Sequence, residues 1–410
     1  MFIYFPTQEF IMKVITRLYQ LKNNSILKRY LLSNHGCMVL SNKFSSEGDP
    51  LAGRDPFAGI NEDEKSKYIE DLLRRKPQSV PLKHAFGKER TVLLFSGQGS
   101  QKVGMVQDLL QYPNVKEMFS IASSVLNFDL LQLCQEGPQS ELDRTVNCQP
   151  AIFLTSLAAV EKLSVTEPEV LENCCAAAGY SVGEYAALVF SGALKFEDAL
   201  KLVKLRARSM QAACDRTQSS MVSAIGGRNT KFKQICAEAL AHCHLSKPLD
   251  NPVCSISAYL SPNFVTIGGN TEIIDHIRKN YVGRDMFSIR KLIDIPVSGA
   301  FHTKLMLPSA DDLRQALRRI PVQDPLIKVY NNVTGHPYYD AYDIRKHLPN
   351  QVTAPVKWEM INHAMLERDG DSAMPLIYDV GPGKQLGSFL KKCNGRAYKS
   401  YIAVNDLSAL

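Results

Sequence analysis

From about residue 90 onward, short apolar runs lead into glycine-rich turns. The segment 91–95, TVLLF, is followed after Ser96 by GQGSQ at 97–101. The largely apolar segment 376–380, LIYDV, is followed directly by GPGKQLG at 381–387. Runs of this length predict buried strands. In α/β sheets, ligands bind at the carboxyl ends of strands, where Gly97 and Gly99 would let the backbone approach a ligand and leave Gln98 exposed. An ordinary strand-to-helix turn is the alternative, and a phosphate loop is excluded because Lys and Ser/Thr do not follow in the required order.

The segment 176–188, AAAGYSVGEYAAL, contains a complete G-x-S-x-G motif. Small residues two positions on either side of the serine allow a strained strand–turn–helix corner to close, with the hydroxyl of Ser181 at its tip. A helix that starts directly behind the serine points its positive end and the N–H of Val182 at the reacting group. The motif also occurs by chance, and the strand required before it, 174–178, is only weakly β by composition.

Two further side chains have chemistry that fits a serine nucleophile. His302 lies in a predicted turn before a helix and could act as a base for Ser181, although a single histidine is more often structural. The segment 202–215, LVKLRARSMQAACD, predicts a helix with Arg206 and Arg208 on different faces. An arginine that enters a pocket binds a carboxylate through two parallel hydrogen bonds, whereas a solvated arginine is the ordinary alternative.

Composition is that of a globular protein. The chain has 410 residues, 45% of them hydrophobic and 22% charged, which excludes a collagen, a disordered tail protein and a small disulfide scaffold. No stretch approaches the roughly 18 apolar residues of a membrane-spanning helix, so no span is expected. The ten cysteines contain no C-x-x-C pair, which favours reduced thiols. The tract from Cys236 to His244 lacks a second ligand pair, so no metal site is predicted.

The net charge of +7 is concentrated at the start of the chain. Residues 1–46 carry six Lys or Arg and one acid, Glu9, whereas the remaining residues have a net charge of only +2. The near-neutral body gives no reason to expect nucleic-acid binding. The basic start can form a helix with one apolar and one basic side, which predicts a mitochondrial transit peptide, with a disordered basic tail as the alternative. Residues 47–89 predict a linker and a solvated arm.

Six motifs along the chain occur in an order found in one enzyme family. They are GQGSQ at 97–101, GYSVGE at 179–184, R-x-x-x-MQ at 206–211, GAFH at 299–302, NNV at 331–333 and VGPGKQLG at 380–387. In this order, over about 90–395, the chain resembles the malonyl-CoA:acyl carrier protein transacylases, which are acyltransferases of fatty acid synthesis. The basic start resembles the mitochondrial type of that family.

The resemblance implies an activity and a place for it. A malonyl group would pass from malonyl-CoA to the phosphopantetheine thiol of mitochondrial acyl carrier protein, through an acyl-serine formed on Ser181. No cofactor of the protein's own would be needed, because the partner carries the phosphopantetheine. The protein is expected to be a monomer in the mitochondrial matrix.

The resemblance also implies roles for residues around the nucleophile. His302 would be the base, held in orientation by the backbone carbonyl of Gln351. Gln98 and the N–H of Val182 would form the oxyanion hole. Arg206 would bind the carboxylate of the malonyl group.

The family fold is a large α/β-hydrolase-like domain, with a parallel sheet, into which a ferredoxin-like small domain is inserted. The sequence agrees: a strand from 219, a helix at 230–244, a hairpin at 253–269, a second helix and a closing strand follow the β-α-β-β-α-β order of the ferredoxin-like pattern. The active site is expected between the two domains. The predicted bounds are 90–217 and 299–395 for the large domain, 218–298 for the small domain and 396–410 for a C-terminal tail.

A serine hydrolase acting on acyl thioesters is the main alternative. It would share Ser181 and His302 but would normally orient the histidine with an acid, for which Asp285 and Asp294 are candidates. In a lipase, Arg206 would have no obvious task. A non-catalytic scaffold that binds the carrier protein is a second alternative, and it is disfavoured because every expected catalytic position is filled.

Overall fold

The computed structural model describes residues 90–246, 252–284, 288–367 and 373–406. The predicted transit peptide at 1–46 and the arm at 47–89 lie outside the described residues, as does Asp285. Strands in the described part are β1 (Thr91–Phe95), β2 (Cys174–Gly179), β3 (Ser219–Gly226), β4 (Cys254–Ser261), β5 (Phe264–Asn270), β6 (Ile289–Asp294), β7 (Lys328–Tyr330), β8 (Leu376–Pro382) and β9 (Tyr401–Asn405).

Helices connect most of these strands. They are α1 (Val115–Leu126), α2 (Leu130–Glu136), α3 (Gln139–Leu142), α4 (Thr145–Thr166), α5 (Pro168–Glu172), α6 (Gly183–Phe190), α7 (Phe196–Arg216), α8 (Phe232–Ser246), α9 (Thr271–Asn280), α10 (Leu307–Leu317), α11 (Ala341–His347), α12 (Trp358–Met365) and α13 (Gln385–Cys393). Short 3-10 turns cover 107–109, 304–306, 348–352 and 397–400. Within the described part, no helix combines the length and apolarity needed to cross a bilayer.

A parallel sheet of five strands forms the centre of the larger part. Its order is β7-β2-β1-β8-β9, and each neighbouring pair is parallel. All five residues of β1 are buried, as expected for a strand covered on both faces. The helix α4 is buried on nearly every side because it packs between α7 and β8. The predicted α/β class is therefore confirmed.

An antiparallel sheet of four strands lies between Ser219 and Asp294. Its order, β4-β5-β3-β6, is that of a ferredoxin-like fold, and α8 and α9 pack on it. The predicted hairpin is present as β4 and β5, with Asn263 in the turn. This sheet is joined to the segment before α12 by hydrogen bonds of Val356 with Ser257 and Tyr259, both 2.9 Å long.

The prediction of a C-terminal tail from 396 is wrong for the residues up to Asn405. Residues 401–405 form β9, which pairs with β8 at the edge of the parallel sheet. The hydroxyl of Tyr401 donates to the buried carboxylate of Asp379, and the side chain of Asn405 donates to the carbonyl of Met105. The prediction failed because the resemblance ended near 395, and a five-residue edge strand has no motif of its own.

Candidate active site

Ser181 stands at a sharp turn between β2 and α6. Its φ is 53°, in the left-handed region that costs a non-glycine residue about 1–3 kcal/mol. The flanking glycines are needed for close packing, because a Cβ at Gly179 would lie 2.0 Å from the carbonyl carbon of Gly183, and one at Gly183 would lie 2.2 Å from the carbonyl oxygen of Phe95. This is the strand–turn–helix context that the G-x-S-x-G motif predicts. Val182 is the N-cap residue of α6, so its N–H belongs to the positive end of the helix.

His302 faces the serine hydroxyl. Its Nε2 lies 2.8 Å from Oγ of Ser181, and its Nδ1 lies 2.8 Å from the backbone oxygen of Gln351. A carbonyl only accepts, so Nδ1 carries the proton and Nε2 presents its lone pair to the serine. Burial, together with the nearby charge of Arg206, lowers the pKa of His302 to about 4. The imidazole is therefore neutral near pH 7 and can accept a proton.

Arg206, on α7, reaches the same hydroxyl from another side. The guanidinium is fully buried, with Nη2 2.8 Å from Oγ of Ser181 and 3.0 Å from Oε1 of Gln351, and Nη1 2.6 Å from Oε1 of Gln149. Arginine only donates, so Oγ accepts from Arg206 and its single proton points to His302. Arg208, two residues on, is exposed.

The charge of Arg206 is not neutralised by a close acid. In the parts of the chain that are described, no carboxylate lies within ion-pair distance of its guanidinium, although Glu184 is near enough to act on it electrostatically. Burial lowers the pKa of Arg206 because it removes water from the charged form. A buried cation of this kind favours a ligand that brings a carboxylate.

Gln351 forms hydrogen bonds to several residues of the site. It lies in the 3-10 turn at 348–352 and is almost completely buried. Its backbone oxygen accepts from His302 and its side-chain Oε1 accepts from Arg206. Its Nε2 donates to the backbone oxygen of Ser181, at 2.8 Å, and to the carboxylate of Glu184.

The loop that carries Gln98 packs beside the serine turn. A Cβ at Gly97 would lie 2.5 Å from the carbonyl oxygen of Tyr180, the residue before Ser181. Nε2 of Gln98 lies 3.3 Å from Oγ1 of Thr145, at the start of α4. The loop thus lies against the serine turn, but no hydrogen bond links Gln98 to Ser181, His302 or Arg206.

The His302 loop also rests against the antiparallel sheet. A Cβ at Gly268, in β5, would lie 3.0 Å from Cγ2 of Thr303 and 3.3 Å from Cβ of Ala300. The serine and the histidine are therefore brought together where elements of both sheets meet. Asp294, a candidate acid for a hydrolase triad, instead forms an ion pair with Arg278, with 2.5 Å between Oδ1 and Nη2.

Four residues of the site were not assigned a role from the sequence. Gln149 holds the guanidinium of Arg206. Oδ1 of Asn332 accepts from the N–H of Ser181 at 2.8 Å, and its Nδ2 donates to the carbonyl of Gly179 at 2.7 Å, so its side chain braces the turn.

Glu184 and Tyr338 form a buried hydrogen bond of 2.5 Å. Asn332 and Glu184 lie within the quoted motifs NNV and GYSVGE, which is the signal that could have found them.

A family model described as the acyl transferase domain matches residues 92–369. Human mitochondrial malonyl-CoA-acyl carrier protein transacylase is 50% identical over 320 residues, which are 78% of this chain and 81% of the human protein. The chain belongs to the malonyl-CoA-acyl carrier protein transacylase family. The resemblance of the six motifs is thus confirmed, and the protein is an acyltransferase of the mitochondrial type.

Solved structures agree with this assignment. The malonyl CoA-acyl carrier protein transacylase from Coxiella burnetii is similar with a TM-score of 0.67 and 31% identity, covering 78% of this chain and 94% of that one. A malonyl-transacylase solved in complex with its type II polyketide acyl carrier protein is similar with a TM-score of 0.66 and 29% identity, covering 78% and 97%. Among the described residues, no group of three or more His, Cys, Asp or Glu side chains could hold a metal ion.

Proposed function

We propose that the protein transfers a malonyl group from malonyl-CoA to the phosphopantetheine thiol of acyl carrier protein, in the mitochondrial matrix and as a monomer. The observation that carries the proposal is the joint contact of Oγ of Ser181 with a neutral imidazole and a buried guanidinium. The first group activates the hydroxyl, and the second is suited to a substrate that ends in a carboxylate. The names of the relatives supply the thioester donor and the carrier protein.

The first half of the reaction acylates Ser181. As Oγ attacks the thioester carbonyl, Nε2 of His302 takes the hydroxyl proton. The oxyanion is stabilised by the N–H of Val182 and by Gln98, and each such donor contributes about 3–4 kcal/mol. The carbon–sulfur bond then breaks, and the proton on His302 goes to the departing CoA thiolate.

The second half reverses these roles. The phosphopantetheine thiol of the carrier protein gives its proton to His302, attacks the ester on Ser181 and forms the new thioester. His302 then returns the proton to Oγ as the carbon–oxygen bond breaks. The protein needs no cofactor of its own for either half, because both thiols belong to its substrates.

Arg206 selects the acyl group. A malonyl carboxylate pairs with the guanidinium, whereas an acetyl group leaves the buried charge without an anionic partner. Loss of one member of a buried charge pair costs about 3–5 kcal/mol, which is enough to favour malonyl strongly.

A thioesterase is less well supported than a transferase. The position that an acid would take against Nδ1 of His302 in a hydrolase triad is filled by the carbonyl of Gln351. The test is to incubate the protein with labelled malonyl-CoA and holo acyl carrier protein, and to compare label on the carrier with free malonate. Transfer that exceeds hydrolysis supports the proposal, and dominant hydrolysis overturns it.

A further inference from the structure

We propose that Glu184 is a positioning residue that fixes the orientation of the Gln351 amide, so that the amide oxygen holds Arg206 for the substrate carboxylate. The inference rests on the proposed malonyl transfer and assigns a new residue to its selectivity. Glu184 follows the motif serine by three residues and lies in the first turn of α6. Its side chain is fully buried.

The carboxylate of Glu184 is held by donors on both of its oxygens. Oε1 accepts from the hydroxyl of Tyr338 at 2.5 Å and from the N–H of Asn332 at 3.3 Å. Oε2 accepts from Nε2 of Gln351. The carboxylate therefore connects the residue that braces the serine turn to the residue that contacts Arg206.

These contacts leave the Gln351 amide one orientation. Its NH2 group has two acceptors, the carboxylate of Glu184 and the backbone oxygen of Ser181, so its oxygen must face the other way. On that side, Nη2 of Arg206 donates to Oε1 at 3.0 Å. Rotation of the amide by half a turn would set an NH2 group against the guanidinium, and both groups only donate.

A carboxylate suits position 184 because it accepts on both sides, from the hydroxyl of Tyr338 and the N–H of Asn332 on one and from the NH2 of Gln351 on the other. The N–H of Asn332 and the NH2 of Gln351 are donors only. The amide of a glutamine at 184 could satisfy one of them and would present its own NH2 to the other. Because Tyr338 and Asn332 present two donors on their side, the amide oxygen would face them and the NH2 would meet Gln351. The Gln351 amide would then be driven to turn, and Arg206 would lose its acceptor.

The burial of this carboxylate argues against a role in packing alone. Burial raises the pKa of Glu184 to about 7, although hydrogen bonds from Tyr338 and Gln351 oppose the shift. Keeping an acid in a site without water is unfavourable, so an apolar side chain of similar size would be the more stable choice for filling space. The hydrogen bonds to Gln351 and Asn332 give the carboxylate a function that an apolar residue could not supply.

The experiment compares Glu184→Gln with a matched control, Glu161→Gln. Glu161 is a second buried acid, on α4, whose carboxylate accepts from Asn114 and forms no hydrogen bond with a residue of the site. Acylation of Ser181 is followed by mass spectrometry with malonyl-CoA and, separately, with acetyl-CoA. We expect Glu184→Gln to reduce the malonyl rate about tenfold or more, and the acetyl rate less than about threefold, because the lost hydrogen bond is to a charged group. Glu161→Gln should keep the wild-type ratio of the two rates.

Each other outcome has a defined meaning. Equal loss of both rates in Glu184→Gln, or an unchanged ratio, overturns the inference, since a purely structural role would act on both substrates alike. If Glu184→Gln does not fold, as judged by circular dichroism, the ratio is measured in Glu184→Asp, whose shorter carboxylate cannot reach both Gln351 and Tyr338. A wild-type ratio in Glu184→Asp overturns the inference. Failure of the wild-type protein to form malonyl-Ser181 would instead reject the proposed function.

Discussion

The guanidinium of Arg206 donates a hydrogen bond to the hydroxyl of Ser181, with 2.8 Å between Nη2 and Oγ. The residue proposed to recognise the substrate and the residue proposed to react with it are thus in direct contact before an acyl group arrives. A carboxylate that pairs with the guanidinium competes with this hydrogen bond and frees a lone pair of Oγ. We therefore expect recognition of malonyl and activation of the nucleophile to be coupled.

Replacement of Arg206 by alanine tests this coupling. We expect the rate of Ser181 acylation by malonyl-CoA to fall about 10²–10³-fold, because the substrate carboxylate would be buried without a partner. The rate with acetyl-CoA should rise relative to it. Arg208→Ala is the matched control, since Arg208 is on the same helix but exposed. An unchanged ratio of malonyl to acetyl rates in Arg206→Ala would show that Arg206 is not the selector.

Replacement of Ser181 by alanine should abolish the acyl adduct and leave the fold intact. The hydroxyl is the group proposed to form the ester, and alanine removes only that oxygen. Mass spectrometry after incubation with malonyl-CoA measures the adduct, and thermal unfolding measures the fold. Ser388→Ala, at an exposed position on α13, is the control and should retain the adduct. A malonyl adduct on the Ser181→Ala protein would place the nucleophile elsewhere.

The pH dependence of the site follows from His302. Its pKa is lowered to about 4, first by burial and then by the charge of Arg206, so acylation should decline only in the acidic range. In Arg206→Ala the pKa should rise, which NMR of the labelled imidazole can measure directly. A pKa that does not move would show that the guanidinium has no electrostatic effect on the base.

The lowered pKa of His302 also makes the free energy of unfolding depend on pH. The folded-state pKa of His302 is below its unfolded value of 6.5. The unfolded chain therefore binds a proton first as the pH falls, and stability from this group, full above pH 6.5, is lost towards pH 4. Urea unfolding of wild type and Arg206→Ala across this window should show a smaller loss in the variant.

The start of α6 should tolerate no side chain at Gly183. A Cβ there would lie 2.2 Å from the carbonyl oxygen of Phe95 and 2.6 Å from that of Ser96, so β1 or α6 would have to move. We expect Gly183→Ala to lower the free energy of unfolding by about 3 kcal/mol or more. Gly395→Ala is the control, because its nearest neighbour would be 3.8 Å away. Equal stability of the two variants would contradict this packing.

Local sequence chemistry was sufficient to predict the serine turn. The turn depends on the glycines at 179 and 183 and on the apolar run of β1, and each of these can be read from a short segment of the sequence. The strand β2 was predicted only as the partner of the motif, because Cys and Ala have weak β propensity, and its position between β7 and β1 outweighs that propensity.

The polar network around the serine could not be predicted in the same way. Gln149 is 57 residues from Arg206, and Glu184 is 167 residues from Gln351. Nothing in the sequence near either residue indicates its partner, because the contact depends on how α4, α6 and the 3-10 turn at 348–352 pack. The resemblance to a family supplied Gln351 and Arg206, and the structure was needed for the residues that hold them.

Ser181 and His302 share one backbone property, a φ of 53° and 58° respectively, which glycine or asparagine adopts more readily. A screen that rewards heat resistance alone would therefore tend to enrich substitutions at these two positions. Directed evolution of a more heat-resistant variant should therefore keep the codons of Ser181 and His302 fixed and mutate other positions.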